Sequence, residues 1–331
     1  MTTYKEIRGT NIEVLESDPS NPIEGQVWYN STSNVLKGRA VTTAGAWATG
    51  GALNTGVEKS GGAGIQTSAL SFGGKLPPTT AGAESYNGTN WTEINSLNQA
   101  RNAMGGAGAD NTSAVAFGGE HPSGGNQDKT ESWNGSNWTE VNDLNEARNS
   151  LAGCGTATAA LAFGGSAGPL SPSNRASTES WNGTNWTTVN NMNSGRYNLA
   201  GGGTNTSAMA FGGYDTSQRA YSELWNGTNW TETNDLNQAR YSLAGCGTSN
   251  TSALAFGGQP GLGATSALTE LWNGSNWTED GDLNNARVSL TGAGTATLGL
   301  VFGGEGPPPA RPFTEEWTGA GSGQTRTFTD S

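Results

Sequence analysis

Apolar residues in this chain fall in short runs separated by Gly, Asn, Ser and Thr. In no window do apolar residues recur at i, i+3, i+4 and i+7 for more than one turn, so the pattern predicts almost no helix. Runs such as Ala-Leu-Ala-Phe at 160–163 are apolar at every position, which is typical of strands buried on both faces. The pattern therefore predicts an all-β protein of short strands joined by tight turns.

The runs repeat along the chain. Phe-Gly-Gly recurs at intervals of 45 to 48 residues, with its Phe at positions 72, 117, 163, 211, 256 and 302. A Trp lies 25 or 26 residues before each of these, at positions 47, 91, 138, 186, 230 and 277. Periods of this length indicate a propeller or a solenoid, and six copies predict a propeller of six blades.

Each unit contains four predicted strands, A to D. Strand A uses small residues, as at 151–155, which suits a strand near a central axis. Strand B is the run that ends in Phe-Gly-Gly. Strands C and D, as at 131–133 and 137–141, flank an Asn-Gly turn, which favours a β-hairpin. We therefore expect four antiparallel strands per blade.

The two ends of the chain predict how the ring closes. The last strand C, at 314–317, has no Asn-Trp strand after it, whereas Trp47 lies in a strand D with no A, B or C before it. We expect residues near Ala46 to complete the sixth blade, with 325–329 as the alternative donor, because closure protects sheet edges. The predicted organisation is an extended segment and β-hairpin at 1–44, the propeller at 45–320 and a tail at 321–331.

Several repeated residues have structural interpretations. Paired aromatic residues, such as Trp133 and Trp138, flank each Asn-Gly turn and are predicted to be core. Arg follows at positions 101, 148, 196, 240 and 287, with Val57 in the first copy, and is expected to bind backbone carbonyls or the neighbouring blade. Asp143, Asp235 and Asp282 share one repeat position and are interpreted as turn caps.

Composition argues against enzymatic chemistry. His121 is the one histidine, so no cluster of imidazoles can hold a metal, and we predict no catalytic residue, metal site or cofactor, with bound Ca²⁺ left open. Glycan cleavage needs only two carboxylates, and Glu279, Asp280 and Asp282 keep it as a remote alternative. The net charge of −12 argues against nucleic-acid binding, and no apolar stretch predicts a membrane span or a secretion signal. Cys154 and Cys246 lie two units apart and are expected to be free.

One set of connections varies among the copies. The D-to-A connections are nearly constant, whereas the B-to-C connections differ in length and composition each time. Alternating strand direction places all six B-to-C connections on one face. Variable loops on one face indicate a binding surface. Equally, these loops could vary only because solvent-exposed connections tolerate changes in length and sequence. The candidate ligand- or partner-binding residues are His121, Asp128, Arg175, Tyr214, Asp215, Arg219, Tyr221 and Arg311.

From about 47 to 317 the chain resembles the kelch repeat: an apolar run ending in Gly-Gly, then an aromatic, a Trp, a Leu and an Arg. It departs in a shorter aromatic-to-Trp spacing and in using Trp where kelch repeats usually have Tyr. The resemblance implies a six-bladed kelch-like propeller that acts as an interaction platform, although one copper oxidase family uses the same ring.

Residues 12–37 resemble a module of virion structural proteins of tailed bacteriophages, although they are also explained as an extra hairpin. This resemblance implies a virion protein, made in the host cytoplasm, that is a tail fibre, adhesin or decoration for host recognition. Residues 1–44 would contact other virion proteins, the ring would contact a host-surface glycan or protein, and several copies would assemble together. The alternative is a free lectin-like propeller. The candidate virion-docking residues are Ile12, Val14, Val27, Trp28, Tyr29 and Leu36.

Overall fold

The computed structural model describes residues 12–20, 26–41, 44–168, 174–306, 311–320 and 323–328. Within these ranges the protein is all-β, with 28 strands in seven four-stranded sheets and no helix. The chain divides into two compact units, one of residues 46–318 and one of residues 1–45 with 319–331. Six sheets belong to the larger unit, as the six repeats predict.

The six sheets follow the repeats in order, and every pairing within them is antiparallel. The first contains β5 (Gly61–Ile65), β6 (Ser68–Phe72), β7 (Ala83–Tyr86) and β8 (Trp91–Ile94), and the second contains β9 (Gly105–Asp110), β10 (Ser113–Phe117), β11 (Thr130–Trp133) and β12 (Trp138–Val141). The third contains β13 (Ala152–Thr156), β14 (Ala159–Phe163), β15 (Thr178–Trp181) and β16 (Trp186–Val189). The fourth contains β17 (Ala200–Gly203), β18 (Ala208–Phe211), β19 (Ser222–Trp225) and β20 (Trp230–Glu232).

The remaining sheets of this unit are the fifth and the sixth. The fifth contains β21 (Ala244–Ser249), β22 (Ser252–Phe256), β23 (Thr269–Trp272) and β24 (Trp277–Asp280). The sixth contains β25 (Thr291–Gly294), β26 (Leu298–Phe302), β27 (Thr314–Thr318) and, from the start of the chain, β4 (Ala46–Thr49). Trp47 lies opposite Trp317, in the register that Trp138 and Trp133 have in the second sheet. Residues near Ala46 therefore complete the sixth sheet. Of the alternative donor, residues 325–328 pair with β3 in another sheet, and residue 329 lies outside the described residues.

Packing between the sheets follows a circular order. Each inner strand contacts the inner strand of the next sheet, and β25 of the sixth contacts β5 of the first. Just before the inner strands, one residue per repeat donates its backbone N–H to the carbonyl of its counterpart in the preceding repeat, and Lys59 donates to Ser289. The six residues in this cycle are Lys59, Ala103, Ser150, Asn198, Ser242 and Ser289, all with positive φ. Each sheet remains open, and their arrangement is consistent with a six-bladed β-propeller.

Glycine in the inner strands is required by close backbone approach. A Cβ placed on Gly106 would lie 2.5 Å from the carbonyl oxygen of Gly62 in the neighbouring sheet. A Cβ on Gly153 would lie 2.9 Å from the carbonyl oxygen of Gly106. Both distances are shorter than a carbon can tolerate, so small residues in strand A let six inner strands meet around one axis.

The aromatic residues are core, as the sequence predicted, and they also join each sheet to the next. Trp133 and Trp138 lie across strands with ring centroids 5.4 Å apart. Phe117 of the second sheet lies edge-on to Trp186 of the third, with centroids 4.8 Å apart. Trp186 also donates its indole N–H to Thr130 at 3.0 Å. These rings are buried, so each joins strands and sheets at once and stabilises the repeat as core.

The repeated arginines are fully buried, and the prediction that they bind carbonyls is confirmed. Arg101 donates to the carbonyls of Gly118 and Lys129, and its other terminal nitrogen lies 2.7 Å from Glu131. A buried pair of Arg with a strand C Glu recurs in four further sheets, as Arg148–Glu179, Arg196–Glu223, Arg240–Glu270 and Arg287–Glu315. The Glu partner was missed from the sequence. The capping interpretation is also confirmed, since Asp143, Asp235 and Asp282 each accept a backbone N–H at the start of strand C.

The smaller unit has its own sheet, in the order β1 (Glu13–Leu15), β2 (Val27–Asn30), β3 (Val35–Val41) and β28 (Gly323–Phe328). Strands β2 and β3 form the predicted hairpin, with Asn34 in the left-handed conformation at its turn. Strand β1 pairs in parallel with β2, and β28 pairs with β3. The segment expected to be a tail thus contributes a strand to this sheet. Part of the predicted extended lead, 21–25, lies outside the described residues.

Candidate binding face

The variable B-to-C connections and the D-to-A connections lie at the same end of their sheets. This follows from the antiparallel order, in which strands B and D run in one direction and A and C in the other. We call this end the variable face. Two of its predicted loops, 166–178 and 305–313, include residues 169–173 and 307–310, which lie outside the described residues.

Three tyrosines from the fourth and fifth repeats meet on the variable face. Tyr214 lies in the B-to-C connection of the fourth sheet, with its ring centroid 5.6 Å from Tyr197 and 5.1 Å from Tyr241. All three side chains are half-buried. Burial and the neighbouring phenols raise the pKa of Tyr197 and of Tyr241 above the ordinary value. Tyr197 and Tyr241 are therefore neutral near pH 7. The three rings present apolar surface with polar tips, which suits contact with a ligand.

An ion pair in the same connection orders the loop beside these rings. Arg219 Nε lies 2.7 and 2.8 Å from the two carboxylate oxygens of Asp215, and its guanidinium lies 5.2 Å from the ring centroid of Tyr221. Although partial burial raises the pKa of Asp215, hydrogen bonds from Arg219 and the amides of Thr216 and Ser217 lower it to about 2. The loop is thus tied into one conformation by charge and by backbone hydrogen bonds.

The structure brings together four of the eight candidate residues, since Tyr214, Asp215, Arg219 and Tyr221 share one connection. With Tyr197 and Tyr241 they define what we call the tyrosine patch. Tyr197 and Tyr241 were missed from the sequence. Each directly follows the repeated Arg, where the other copies have Asn102, Asn149 or Val288, so a Tyr at this position in two successive copies was the available signal.

The other four candidates lie on other connections of the variable face. His121 Nδ1 is 2.7 Å from Ser123 Oγ within its own loop, and Asp128 accepts the amide of Leu144 through its backbone carbonyl. Arg175 forms an ion pair with Glu146, and the Arg311 guanidinium lies 5.1 Å from the ring centroid of Phe313. These contacts order individual loops.

The candidate docking residues of the smaller unit differ in exposure. Ile12 and Val14 are 40% and 67% exposed, whereas Trp28 is fully buried and donates its indole N–H to Asp18. Val27, Tyr29 and Leu36 are half-buried. Ile12 and Val14 therefore offer apolar surface, while Trp28 belongs to the packing of the chain itself.

The central channel offers little chemistry. At the end away from the variable face it opens into a cavity of about 310 Å³, lined by Gly, Ala, Thr, Ile and Cys residues of the inner strands. Cys154 and Cys246 are free, and burial raises the pKa of each thiol to about 12, so both are protonated at neutral pH. In the part of the chain that the structure describes, no three His, Cys, Asp or Glu residues are grouped as metal ligands would be.

No protein-family model matches the sequence, and no curated protein is significantly similar to it. Among the described ranges, no helix has the length and hydropathy needed to cross a membrane.

Proposed function

We propose that this protein is a recognition module whose variable face binds a surface molecule through the tyrosine patch. The main observation behind this proposal is that three half-buried tyrosine rings pack together beside the ordered Asp215–Arg219 ion pair. Tyr and Arg are the residue types that dominate binding energy at protein interfaces, and a pre-ordered loop loses less entropy on binding. The variability of the B-to-C connections beside a constant framework supports the same function.

In its finer form the proposal is a kelch-like propeller in a tailed-bacteriophage particle, where it recognises the host surface. The repeat landmarks and the likeness of residues 12–37 to virion modules support it. Within the smaller unit, the exposed Ile12 and Val14 supply apolar surface for a virion partner. A free lectin-like propeller is the alternative, and it would bind its glycan without residues 1–44.

Binding to envelopes of candidate host cells and to a glycan array tests the recognition step. Tyr214→Ala should reduce binding by about tenfold or more, since a central aromatic contributes roughly 2 kcal/mol or more. Thr184→Ala, in a C-to-D turn at the opposite end, should leave it unchanged. Equal binding by both variants would refute a role for the tyrosine patch.

Assembly into particles tests the finer form separately. Purified phage particles should contain the full-length chain and should lack a chain without residues 1–44. Incorporation of the shortened chain would contradict the docking role, and glycan binding by that chain in the absence of any particle would favour the free lectin.

A further inference from the structure

The first sheet lacks the arginine that the other five contain. In the second sheet the Arg101 guanidinium is held by three acceptors: the carbonyls of Gly118 and Lys129 and the carboxylate of Glu131. The same three repeat positions accept hydrogen bonds from two further arginines. Arg240 donates to Gly257, Leu268 and Glu270. Arg287 donates to Gly303, Phe313 and Glu315. In the first copy, Val57 stands at the arginine position.

The acceptors remain in the first sheet although the arginine does not. By repeat register they are the carbonyls of Gly73 and Gly82 and the carboxylate of Glu84, and the amide of Gly73 donates to Gly82 as Gly118 does to Lys129. All three residues line a cavity of about 330 Å³, together with Val57. The first sheet thus keeps the acceptors that bind a guanidinium in other sheets, but the chain supplies no guanidinium to them.

The Glu84 carboxylate is buried, but the cavity beside it opens to the surface. Glu84 is 7% exposed, and its Oε2 accepts hydrogen bonds from the backbone and side-chain amides of Asn54. Glu131 Oε2 accepts the same two bonds from Asn98. The other oxygen of Glu84, whose counterpart pairs with Arg elsewhere, accepts the amide of Thr55 at 3.0 Å. The lining also includes Leu76, Glu93 and Ser96, which are exposed, so the cavity reaches the surface at the variable face.

The indole N–H of Trp138, which packs beside this site, also has no partner in the described part of the chain. Trp138 Nε1 is buried and has no hydrogen-bond partner within the described part of the chain, whereas its counterparts donate to Thr or Ser hydroxyls. The counterpart of those hydroxyls is Ala83, which lines the cavity. Compared with the other sheets, the first sheet therefore lacks two polar contacts near a buried carboxylate that borders an open cavity.

We propose that this cavity binds a guanidinium group carried on a short unbranched aliphatic chain. The planar group would donate to the Gly73 and Gly82 carbonyls and to Glu84, in the arrangement that Arg101, Arg240 and Arg287 have in their own sheets. The aliphatic part would lie along Val57, Ile94 and Leu76. The site is independent of the tyrosine patch, so failure of either proposal leaves the other standing.

Saturation-transfer NMR and thermal shift with n-butylguanidinium, against the neutral n-butylurea, test the chemistry. We expect the cation alone to bind. Glu84→Gln should weaken it by about ten- to hundredfold, as loss of a charged hydrogen-bond partner does. Val57→Arg, which supplies a tethered guanidinium, should abolish binding and raise the melting temperature.

Glu279→Gln is the control for the loss of one carboxylate charge, because Glu279 lies opposite Glu270 in the fifth sheet, where Arg240 already fills the site. It should bind as the unaltered protein does. Equal binding of butylurea, no binding of butylguanidinium, or unchanged binding by Val57→Arg would overturn the proposal. Val57→Arg keeps Glu84, so the test stands even if Glu84→Gln fails to fold.

A second arm distinguishes the sources of the group. An acetyl-Gly-Arg-Gly amide that binds at the same site supports capture of an arginine side chain from another protein. Binding of butylguanidinium without the peptide supports a free small molecule. Either result supports recognition of a guanidinium group by this cavity.

Discussion

The buried arginine pairs make a quantitative prediction at Arg240. Its guanidinium lies 2.9 Å from Glu270 and donates to three carbonyls, and both side chains are fully buried. Burial lowers the pKa of Arg240 even though Glu270 raises it, which shows how strongly desolvation acts here. Arg240→Met keeps the aliphatic stem and leaves Glu270 buried without a cation, so we expect a loss of about 3–5 kcal/mol in stability.

The matched control is Arg175→Met, whose ion pair with Glu146 is about one third exposed. It should cost at most about 1 kcal/mol, because exposed pairs contribute little. Adding Glu270→Gln to Arg240→Met should recover part of the loss by removing the buried charge. Urea unfolding followed by tryptophan fluorescence measures all three variants. A loss at Arg240→Met no larger than the control, or no recovery in the double variant, would refute the reasoning.

Three further changes follow from the packing. Ala83→Thr should stabilise the protein by about 1 kcal/mol by accepting the Trp138 indole N–H, and an unchanged melting temperature would contradict this. Phe163→Ala, at a fully buried ring, should cost about 3–5 kcal/mol by calorimetry, and a smaller loss than about 1 would contradict the packing. Because burial raises both thiol pKa values from 9.0 to about 12, stability should fall as pH rises between these values. A Cys154→Ala/Cys246→Ala variant should lose less stability over that range, and equal pH profiles would contradict the shift.

Sequence alone determined much of the repeat. The spacing of Phe-Gly-Gly and Trp determined six units, because a repeat that buries its aromatic side chains against its neighbour must keep the same register each time. The Asn-Gly turns determined the C–D hairpins, since Gly135 and its counterparts adopt positive φ. The orphan strand at Trp47 was also sufficient to predict which segment completes the sixth sheet.

Tertiary structure decided the features that depend on contacts between distant residues. Glu131 could not be assigned to Arg101 from the sequence, because the two meet only when strand C of one sheet lies beside the preceding connection. Tyr197 approaches Tyr214 only when β17 and β18 pair, and Tyr241 approaches it only when the fifth sheet packs against the fourth. The cavity at Glu84 has the same origin. Val57 is an ordinary apolar residue in the sequence. That it leaves a cavity becomes visible only when the fold places the Gly73 and Gly82 carbonyls and the Glu84 carboxylate beside it.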